Sequence, residues 1–246
     1  HELPAVGENF RDHINARIQW QVTAPGVSYN ERAQGANLVG QVAKYLISGG
    51  GFLSLPSAPL LAFLKTRPEL ATPDVQMHLV PYAVKDPKRR KLHDFPGMTV
   101  ACYQLRPESL GSIHIQSAEP KEQPAIRFNF LADRIDRAAM VEGFKMMRRI
   151  VEAPPMDPFR GEEYSPGKAV DTDQAIEQWI RENSETAYHP IGTCRMGPGP
   201  NTVVDDQLKV HGLDGLRIAD ASIFPTMPSG NTNAPAIMVG EKCADL

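Results

Sequence analysis

One histidine lies in a segment whose residue types suit acid–base chemistry. His189 stands in the run 188–197, which reads YHPIGTCRMG and follows a predicted helix as a turn containing Pro and Gly. An imidazole is the natural general base near neutral pH because its unperturbed pKa is about 6.5. Loop positions often present side chains to a site. Residue type and position leave two interpretations open, a catalytic base or a structural histidine.

A second candidate side chain lies near the C-terminal end of the sequence. Residues 229–235 read SGNTNAP, and a closing helix is predicted to begin at about residue 233. The amide of Asn231 is a suitable donor to an oxygen that develops negative charge, because it does not compete for the proton. Asn231 or Asn233 could instead simply cap the helix, and we assign the cap to Asn233.

The start of this helix and an earlier turn are candidates for binding an anionic group. Free N–H groups at the beginning of a helix favour negative charge. Asp220, Ala221 and Ser222 follow a strand predicted at 216–219, and small residues there permit close backbone approach to a ligand. The same residues also make ordinary turns.

The spacing of the other reactive side chains disfavours three further kinds of site. No metal site is predicted, because no H-E-x-x-H spacing occurs among His13, His78, His93, His114 and His211. No G-x-S-x-G elbow is present, which disfavours a hydrolase. Cys194 is close to His189 in the sequence, and we favour core packing of its thiol over a thiol–histidine pair.

Composition and charge indicate an ordinary globular protein. Hydrophobic residues make up 41% and charged residues 22%. The net charge of −3, without a basic stripe interleaved with aromatics, makes nucleic acid an unexpected partner. The densest basic cluster, residues 85–91 (KDPKRRK), is interpreted as a solvated loop between two strands. No apolar run is long enough to span a bilayer. The 3 cysteines show no disulfide or zinc spacing, which favours a reducing compartment such as the cytoplasm.

The elements that must position these residues follow from apolar periodicity. Predicted strands cover 14–23, 74–84, 98–106 and 111–117. Predicted helices cover about 36–48, 134–152 and 172–184, followed by the closing helix from 233. Asp133 is the predicted N-cap of the longest helix. A block of strands flanked by helices predicts an α+β fold with an antiparallel sheet.

Three of the predicted helices carry apolar side chains on one face. In the first helix these side chains are Val39, Val42, Ala43 and Leu46. In the longest helix they are Met140, Phe144, Met147 and Val151, at the spacing of a core-facing stripe. In the helix over 172–184 they are Ile176, Trp179 and Ile180, which are predicted to be buried.

An ordered set of segments resembles the C-terminal signature of the glucose–methanol–choline (GMC) family of flavin-dependent alcohol oxidoreductases. The segments are 188–197 (YHPIGTCRMG), 203–205 (VVD), 210–212 (VHG), 216–222 (LRIADAS) and 230–235 (GNTNAP). Residues 6–13 (VGENFRDH) match the family's V-G-x-N-L-x-D-H, with Phe10 where Leu is usual, and are interpreted as packing rather than chemistry. Residues 105–113 (LRPESLGSI) are similar to the family's L-x-P-x-S-x-G-x-V/I strand.

The resemblance implies FAD as cofactor and assigns roles to named residues. It implies that His189 faces the flavin and accepts the hydroxyl proton of the substrate while Asn231 hydrogen-bonds the alcohol oxygen. It places Asp220 and Ala221 near the ribityl–pyrophosphate part of FAD, and the backbone at Thr232 near the flavin carbonyl. The implied reaction is hydride transfer from the carbinol carbon to flavin N5, giving an aldehyde or ketone.

The resemblance also implies a division of the chain. Residues 1–35 are expected to be a residual FAD-domain segment and connector, 36–165 the substrate-binding domain, and 166–246 a return to the FAD domain and active site. The dinucleotide fingerprint G-x-G-x-x-G is absent, since neither 49–51 (GGG) nor 197–199 (GPG) fits it. The opening residues lack an initiator Met. We therefore expect the C-terminal half of a longer enzyme, inactive alone, whose partner is its own N-terminal FAD-binding half.

The substrate is expected to be a small alcohol without charge. Choline-oxidising members of the family carry a glutamate in an F-E-A-G-x-F-like segment, and the apparent counterpart here, 58–63 (APLLAF), has no acid. This favours a primary or aromatic alcohol over a cationic one. Two alternatives stay open: a flavin-containing lyase of the same fold, or a catalytically silent folded half that only pairs with its missing N-terminal half.

Overall fold

The computed structural model describes residues 1–86, 89 and 91–246, which form an α+β protein with antiparallel strand pairs. The chain divides into two compact units. Unit one comprises His1–Asn15, Gln104–Ala139 and Glu185–Leu246, and unit two comprises Ala16–Tyr103 and Met140–Ser184. Within the described residues, no helix combines the length and apolar character needed to cross a membrane.

The strands are, in chain order, β1 (Ile14–Val22), β2 (Leu60–Leu64), β3 (Val75–Val80), β4 (Val84–Asp86), β5 (Lys91–Leu92), β6 (Gly97–Gln104), β7 (Ser112–His114), β8 (Ala125–Arg127), β9 (Arg160–Ser165) and β10 (Glu185–Thr186). The α-helices are α1 (Tyr29–Arg32), α2 (Gly35–Ser48), α3 (Arg134–Val151), α4 (Asp173–Asn183) and α5 (Asn233–Ala244). Short 3₁₀ turns lie at Phe52–Ser54, Pro154–Met156 and Ala221–Ile223.

Unit two is built on a sheet whose middle strand is β6. Antiparallel pairing joins β1 to both β6 and β9, and the strands β3 and β2 follow beyond β6. Alternate side chains of β1 are buried, as the period-2 pattern predicts. The buried pairs between β1 and β6 are Ala16 with Cys102, Ile18 with Val100, and Trp20 with Met98.

The helix α3 covers this sheet with the apolar stripe predicted from the sequence. Its four stripe residues are all buried: Met140, Phe144, Met147 and Val151. A Cβ added to Gly143 would lie 2.7 Å from the Sγ atom of Cys102, so the helix backbone lies directly against β6. The ring of Phe144 packs edge-on against Trp179 of α4 at 5.5 Å. Ile176 and Ile180 of α4 are fully buried, whereas Trp179 is half-buried.

The predicted strand over 74–84 is interrupted. Its residues divide between β3 and β4, because Pro81 has no N–H group to donate to a strand ladder. β4 pairs antiparallel with β5 across the basic cluster at 85–91. Within that cluster, Pro87, Lys88 and Arg90 lie outside the described residues, and the interpretation of a solvated loop stays a prediction.

The helix α2 forms where periodicity predicts it and ends at Gly49, whose φ of 65° suits a glycine. None of its residues is buried. Val39 and Leu46, which belong to its apolar face, are 70% and 77% exposed. This helix therefore contributes little to the core of unit two.

Unit one consists mainly of loops held together by backbone hydrogen bonds and a small apolar core. The buried members of this core are Ala5, Val203, Val204, Leu208, Val210, Ile223 and Val239. Asp133 begins α3 as predicted, since its carboxylate accepts a hydrogen bond from Ile135 N at 2.7 Å. The limits of the two units differ from the predicted ranges 1–35, 36–165 and 166–246, whose assignment to cofactor and substrate stays a prediction.

Candidate active site

Three separated segments of unit one are joined through their backbones. Arg11 and Ile191 exchange hydrogen bonds at 3.2 and 2.9 Å, which ties the first segment to the YHPIGTCRMG run. Cys194 N donates to the carbonyl oxygen of Ser222 at 2.9 Å, and Met196 N donates to that of Ile223 at 2.8 Å. These bonds hold the predicted catalytic turn against the turn that begins at Asp220.

Gly192 permits the close approach of two of these segments. Its φ is +89°, and a Cβ at this position would lie 2.3 Å from the carbonyl oxygen of Asn9. Only glycine combines this backbone conformation with so short a distance. Gly192 therefore allows the turn that contains His189 to pack closely against residues 9–13.

Asp12 anchors the backbone of both histidines in the site. Its Oδ1 atom accepts hydrogen bonds from His13 N at 2.7 Å and from His189 N at 2.9 Å, and its Oδ2 atom accepts one from the Thr186 hydroxyl. The residue is only 4% exposed. Burial raises the pKa of the Asp12 carboxyl, although these hydrogen bonds oppose the rise.

The side chains of His13, His189 and Asn231 form a chain of polar contacts. The Nδ1 atoms of the two histidines are 3.0 Å apart, and His13 Nε2 lies 3.1 Å from the carbonyl oxygen of Leu105. His189 Nε2 lies 3.0 Å from Asn231 Nδ2. The structure thus brings together the two residues predicted to be catalytic, and adds His13 behind them.

Both rings are neutral near pH 7. Burial lowers the pKa of His13 to about 4. Burial also lowers the pKa of His189, while the negative charge of Asp12 opposes that change. A neutral His189 has a lone pair on one ring nitrogen, so the ring is able to accept a proton.

Replacing Asp12 by Asn is expected to lower the pKa of His189 further. The amide keeps an acceptor for the two backbone N–H groups but removes the negative charge that stabilises the imidazolium. The neutral ring then persists to lower pH. An NMR titration of the His189 ring measures this change, and Asp205→Asn, at a half-exposed carboxylate that also accepts backbone N–H groups, serves as the control. An unchanged or raised pKa of His189 would contradict the assigned charge effect.

Asn231 lies on an exposed turn before α5. The preceding Ser229 accepts a hydrogen bond from Arg106 Nη1 at 2.7 Å, which ties this turn to residues 104–139 of the same unit. The prediction that Asn233 caps α5 is wrong. Asn233 is the first helical residue, and Thr232 stands at the N-cap without a side-chain capping bond, because the backbone at Thr232 is already in the right-handed helical region.

Asp220 and Ala221 form the turn that backbone bonds hold beside the YHPIGTCRMG run. The Asp220 carboxylate accepts a hydrogen bond from Ser222 N at 2.8 Å and so caps the 3₁₀ turn at Ala221–Ile223. The strand predicted at 216–219 is wrong. Only an isolated bridge between Lys209 and Arg217 forms there, because the turn at Gly215 and the 3₁₀ turn leave little room for a ladder.

The remaining candidates fall outside this arrangement. His211 bonds to the carbonyl oxygen of Gly197 at 3.0 Å, as a turn residue does. His114 bonds to Glu8 at 2.8 Å on the surface. Burial raises the pKa of the Cys194 thiol, which disfavours a thiolate nucleophile. Over the described residues, no group of three side chains is arranged to bind a metal ion.

Asp12 and His13 are the residues that the sequence interpretation missed. The segment 6–13 was interpreted as packing, yet two of its side chains reach His189. The available signal was the acid at Asp12, since a carboxylate often orients a catalytic histidine.

The chain is similar in sequence to known proteins. A family model described as GMC oxidoreductase matches residues 107–240. An oxygen-dependent choline dehydrogenase of Pseudomonas fluorescens (strain Pf0-1) is 38% identical over 252 residues, covering 100% of this chain and 43% of that protein. The corresponding protein of Chromohalobacter salexigens is 37% identical over 245 residues, covering 100% of this chain and 44% of its own length.

The fold is also similar to that of solved structures. A formate oxidase from Aspergillus oryzae, described for the effect of a mutation on FAD modification, superposes with a TM-score of 0.86 at 27% identity. That match covers 99% of this chain and 47% of the other. The chain therefore spans less than half the length of the relatives that it matches.

Proposed function

The chain belongs to the GMC oxidoreductase family, and we therefore propose that it carries the proton-accepting half of an FAD-dependent enzyme that oxidises an alcohol. The observation that carries the proposal is the 3.0 Å contact between His189 Nε2 and Asn231 Nδ2. A neutral imidazole and an amide donor side by side suit a hydroxyl group, which needs one acceptor for its proton and one donor for its oxygen.

In this proposal His189 takes the hydroxyl proton at Nε2. Asn231 donates an amide N–H to the alcohol oxygen and stabilises the charge that develops as the proton leaves. The resulting imidazolium is supported by the negative charge of Asp12, which favours the protonated form of the ring. The chain thus contributes orientation, a base and a donor.

The turn residues suit a flavin nucleotide. FAD, when bound, supplies the hydride acceptor. The start of α5 has no side-chain cap at Thr232, so its first N–H groups suit an electron-rich carbonyl or anion. Asp220, Ala221, Asn231 and Thr232 would hold the cofactor. Asp220 and Ala221 also lie in a turn of small residues, which allows close backbone approach.

The binding of FAD is proposed to need a second part of the protein. The chain has no G-x-G-x-x-G fingerprint and covers 43% of a choline dehydrogenase relative. We assign the phosphate-binding turn to an N-terminal half outside this chain, residues 36–165 to the substrate side, and the flanking segments to the cofactor side.

An uncharged alcohol is proposed as the substrate. The segment 58–63 contains no acid to pair with a quaternary ammonium group. Burying a cationic group without a carboxylate partner costs free energy, so the missing acid favours an uncharged substrate.

The whole protein is expected to oxidise the uncharged isostere of choline, in which carbon replaces the quaternary nitrogen, with a higher kcat/KM than choline. The two alcohols have the same shape, so their comparison isolates the charge. Aldehyde formation measures both rates. A preference for choline would overturn the uncharged substrate, and cyanohydrin cleavage without alcohol oxidation would favour a lyase instead.

A further inference from the structure

Two imidazole rings meet through their Nδ1 atoms in the candidate site. The Nδ1 atoms of His13 and His189 are 3.0 Å apart, with the ring planes at 84°. A hydrogen bond at this distance requires one ring to donate and the other to accept, since two lone pairs or two N–H groups repel each other. The direction of this bond decides which nitrogen of His189 is left to accept a proton.

The carbonyl group of Leu105 decides that direction. His13 Nε2 lies 3.1 Å from the Leu105 oxygen, and a carbonyl oxygen can only accept. Nε2 of His13 therefore carries the hydrogen. His13 is fully buried, its pKa is lowered to about 4, and a neutral ring has a single N–H group. The Nδ1 atom of His13 is consequently a hydrogen-bond acceptor.

His189 must then donate from Nδ1, and its lone pair lies on Nε2, the atom that faces Asn231. We propose that His13 is a positioning residue that fixes His189 in the Nδ1–H tautomer and so leaves Nε2 as the proton acceptor. The link from this tautomer to catalysis rests on the proposed function. The tautomer itself rests on the hydrogen-bond geometry and on the neutral state of the buried His13 ring.

An uncharged partner such as the His13 ring suits the role of fixing the tautomer of His189. A carboxylate at the position of the His13 ring would stabilise the imidazolium strongly and raise the pKa of the base. His13 orients the ring without adding charge. The carboxylate that does lie nearby, Asp12, bonds instead to the backbone N–H groups of both histidines. Among titratable groups, Asp12 accepts from the backbone N–H of His189 and the His13 ring contacts the His189 ring.

Two substitutions distinguish the hydrogen bond of His13 to His189 from its hydrogen bond to Leu105. In His13→Asn the amide oxygen takes roughly the place of Nδ1 and keeps the acceptor for His189. In His13→Gln the amide nitrogen takes roughly the place of Nε2 and keeps the donor to Leu105, but the acceptor for His189 is lost. A merely structural role through Leu105 predicts that Gln is the better replacement, whereas fixation of the tautomer predicts that Asn is.

The test combines ¹⁵N NMR of the His189 ring with flavin reduction in the whole protein. At about pH 8, where an ordinary imidazole is neutral, we expect a protonated Nδ1 and an unprotonated Nε2 in the wild type and in His13→Asn. In His13→Gln we expect a mixture of tautomers and flavin reduction slower by at least about tenfold, because a histidine in the wrong tautomer cannot accept the proton at the required nitrogen.

The NMR measurement on the wild type decides the proposal even if both variants fold poorly. A hydrogen on Nε2 of His189 in the wild type would overturn it, and so would wild-type behaviour of His13→Gln beside an impaired His13→Asn. Failure of the proposed function has a different signature. In that case no alcohol reduces the flavin, while the tautomer of His189 is still read from the ring nitrogens.

Discussion

Replacing His189 by alanine in the whole protein is expected to slow reduction of the flavin by alcohol by about 10²- to 10⁴-fold, the usual contribution of a positioned general base. The reason is local. The neutral ring presents Nε2 beside the Asn231 amide, and an alanine leaves no group there to take the hydroxyl proton. Alcohol binding through other contacts is expected to change less than the rate.

The measurement is anaerobic rapid mixing with a saturating alcohol, followed by the loss of flavin absorbance. His114→Ala is the matched control, because His114 bonds to Glu8 on the surface of the same unit and has no place in the proposed reaction. The control is expected to reduce at the wild-type rate. Undiminished reduction in His189→Ala would remove His189 from the role of base.

Replacing Gly192 by alanine is expected to destabilise the protein by about 2 to 6 kcal/mol, combining the cost of a left-handed backbone with that of overpacking. The added Cβ would lie 2.3 Å from the Asn9 carbonyl oxygen and 2.7 Å from the Asn9 side-chain nitrogen. Relief of this clash requires the histidine turn to move away from residues 9–13. The hydrogen bonds of Asp12 and His13 to His189 would lengthen as a result.

Urea unfolding of the wild type and of Gly192→Ala measures the change in the free energy of unfolding. Gly199→Ala is the control, since a Cβ there meets no atom within 4 Å and the position lies in the same stretch of chain. We expect the control to unfold close to the wild type. Equal unfolding midpoints for Gly192→Ala and Gly199→Ala would show that the close approach to Asn9 does not affect the stability of the protein.

The elements of unit two were predictable because their apolar patterns are regular. The stripe of α3 and the alternation of β1 follow from spacing alone, and both are buried as predicted. The segments of unit one have no such period. Their positions depend on backbone bonds between residues far apart in the chain, such as Cys194 with Ser222. The family resemblance, rather than periodicity, indicated that these segments belong together.

The candidate site was predictable in part. The contact between His189 and Asn231 agrees with the roles that the resemblance implied, although those roles stay a prediction. The hydrogen bonds of Asp12 and His13 to His189 were not predicted, because the sequence does not show which way an acid or imidazole side chain points from a loop. The Asn233 cap and the strand before Asp220 failed for a related reason. Tertiary contacts set the backbone conformation of short irregular segments and outweigh local propensity.

We propose that this chain is part of an enzyme that oxidises an alcohol, with His189 as the group that accepts the hydroxyl proton. The most direct measurement is the visible absorption spectrum of the whole protein before and after anaerobic addition of a primary alcohol. We predict that the flavin band bleaches as alcohol is added. A flavin band that no alcohol bleaches would contradict the claim.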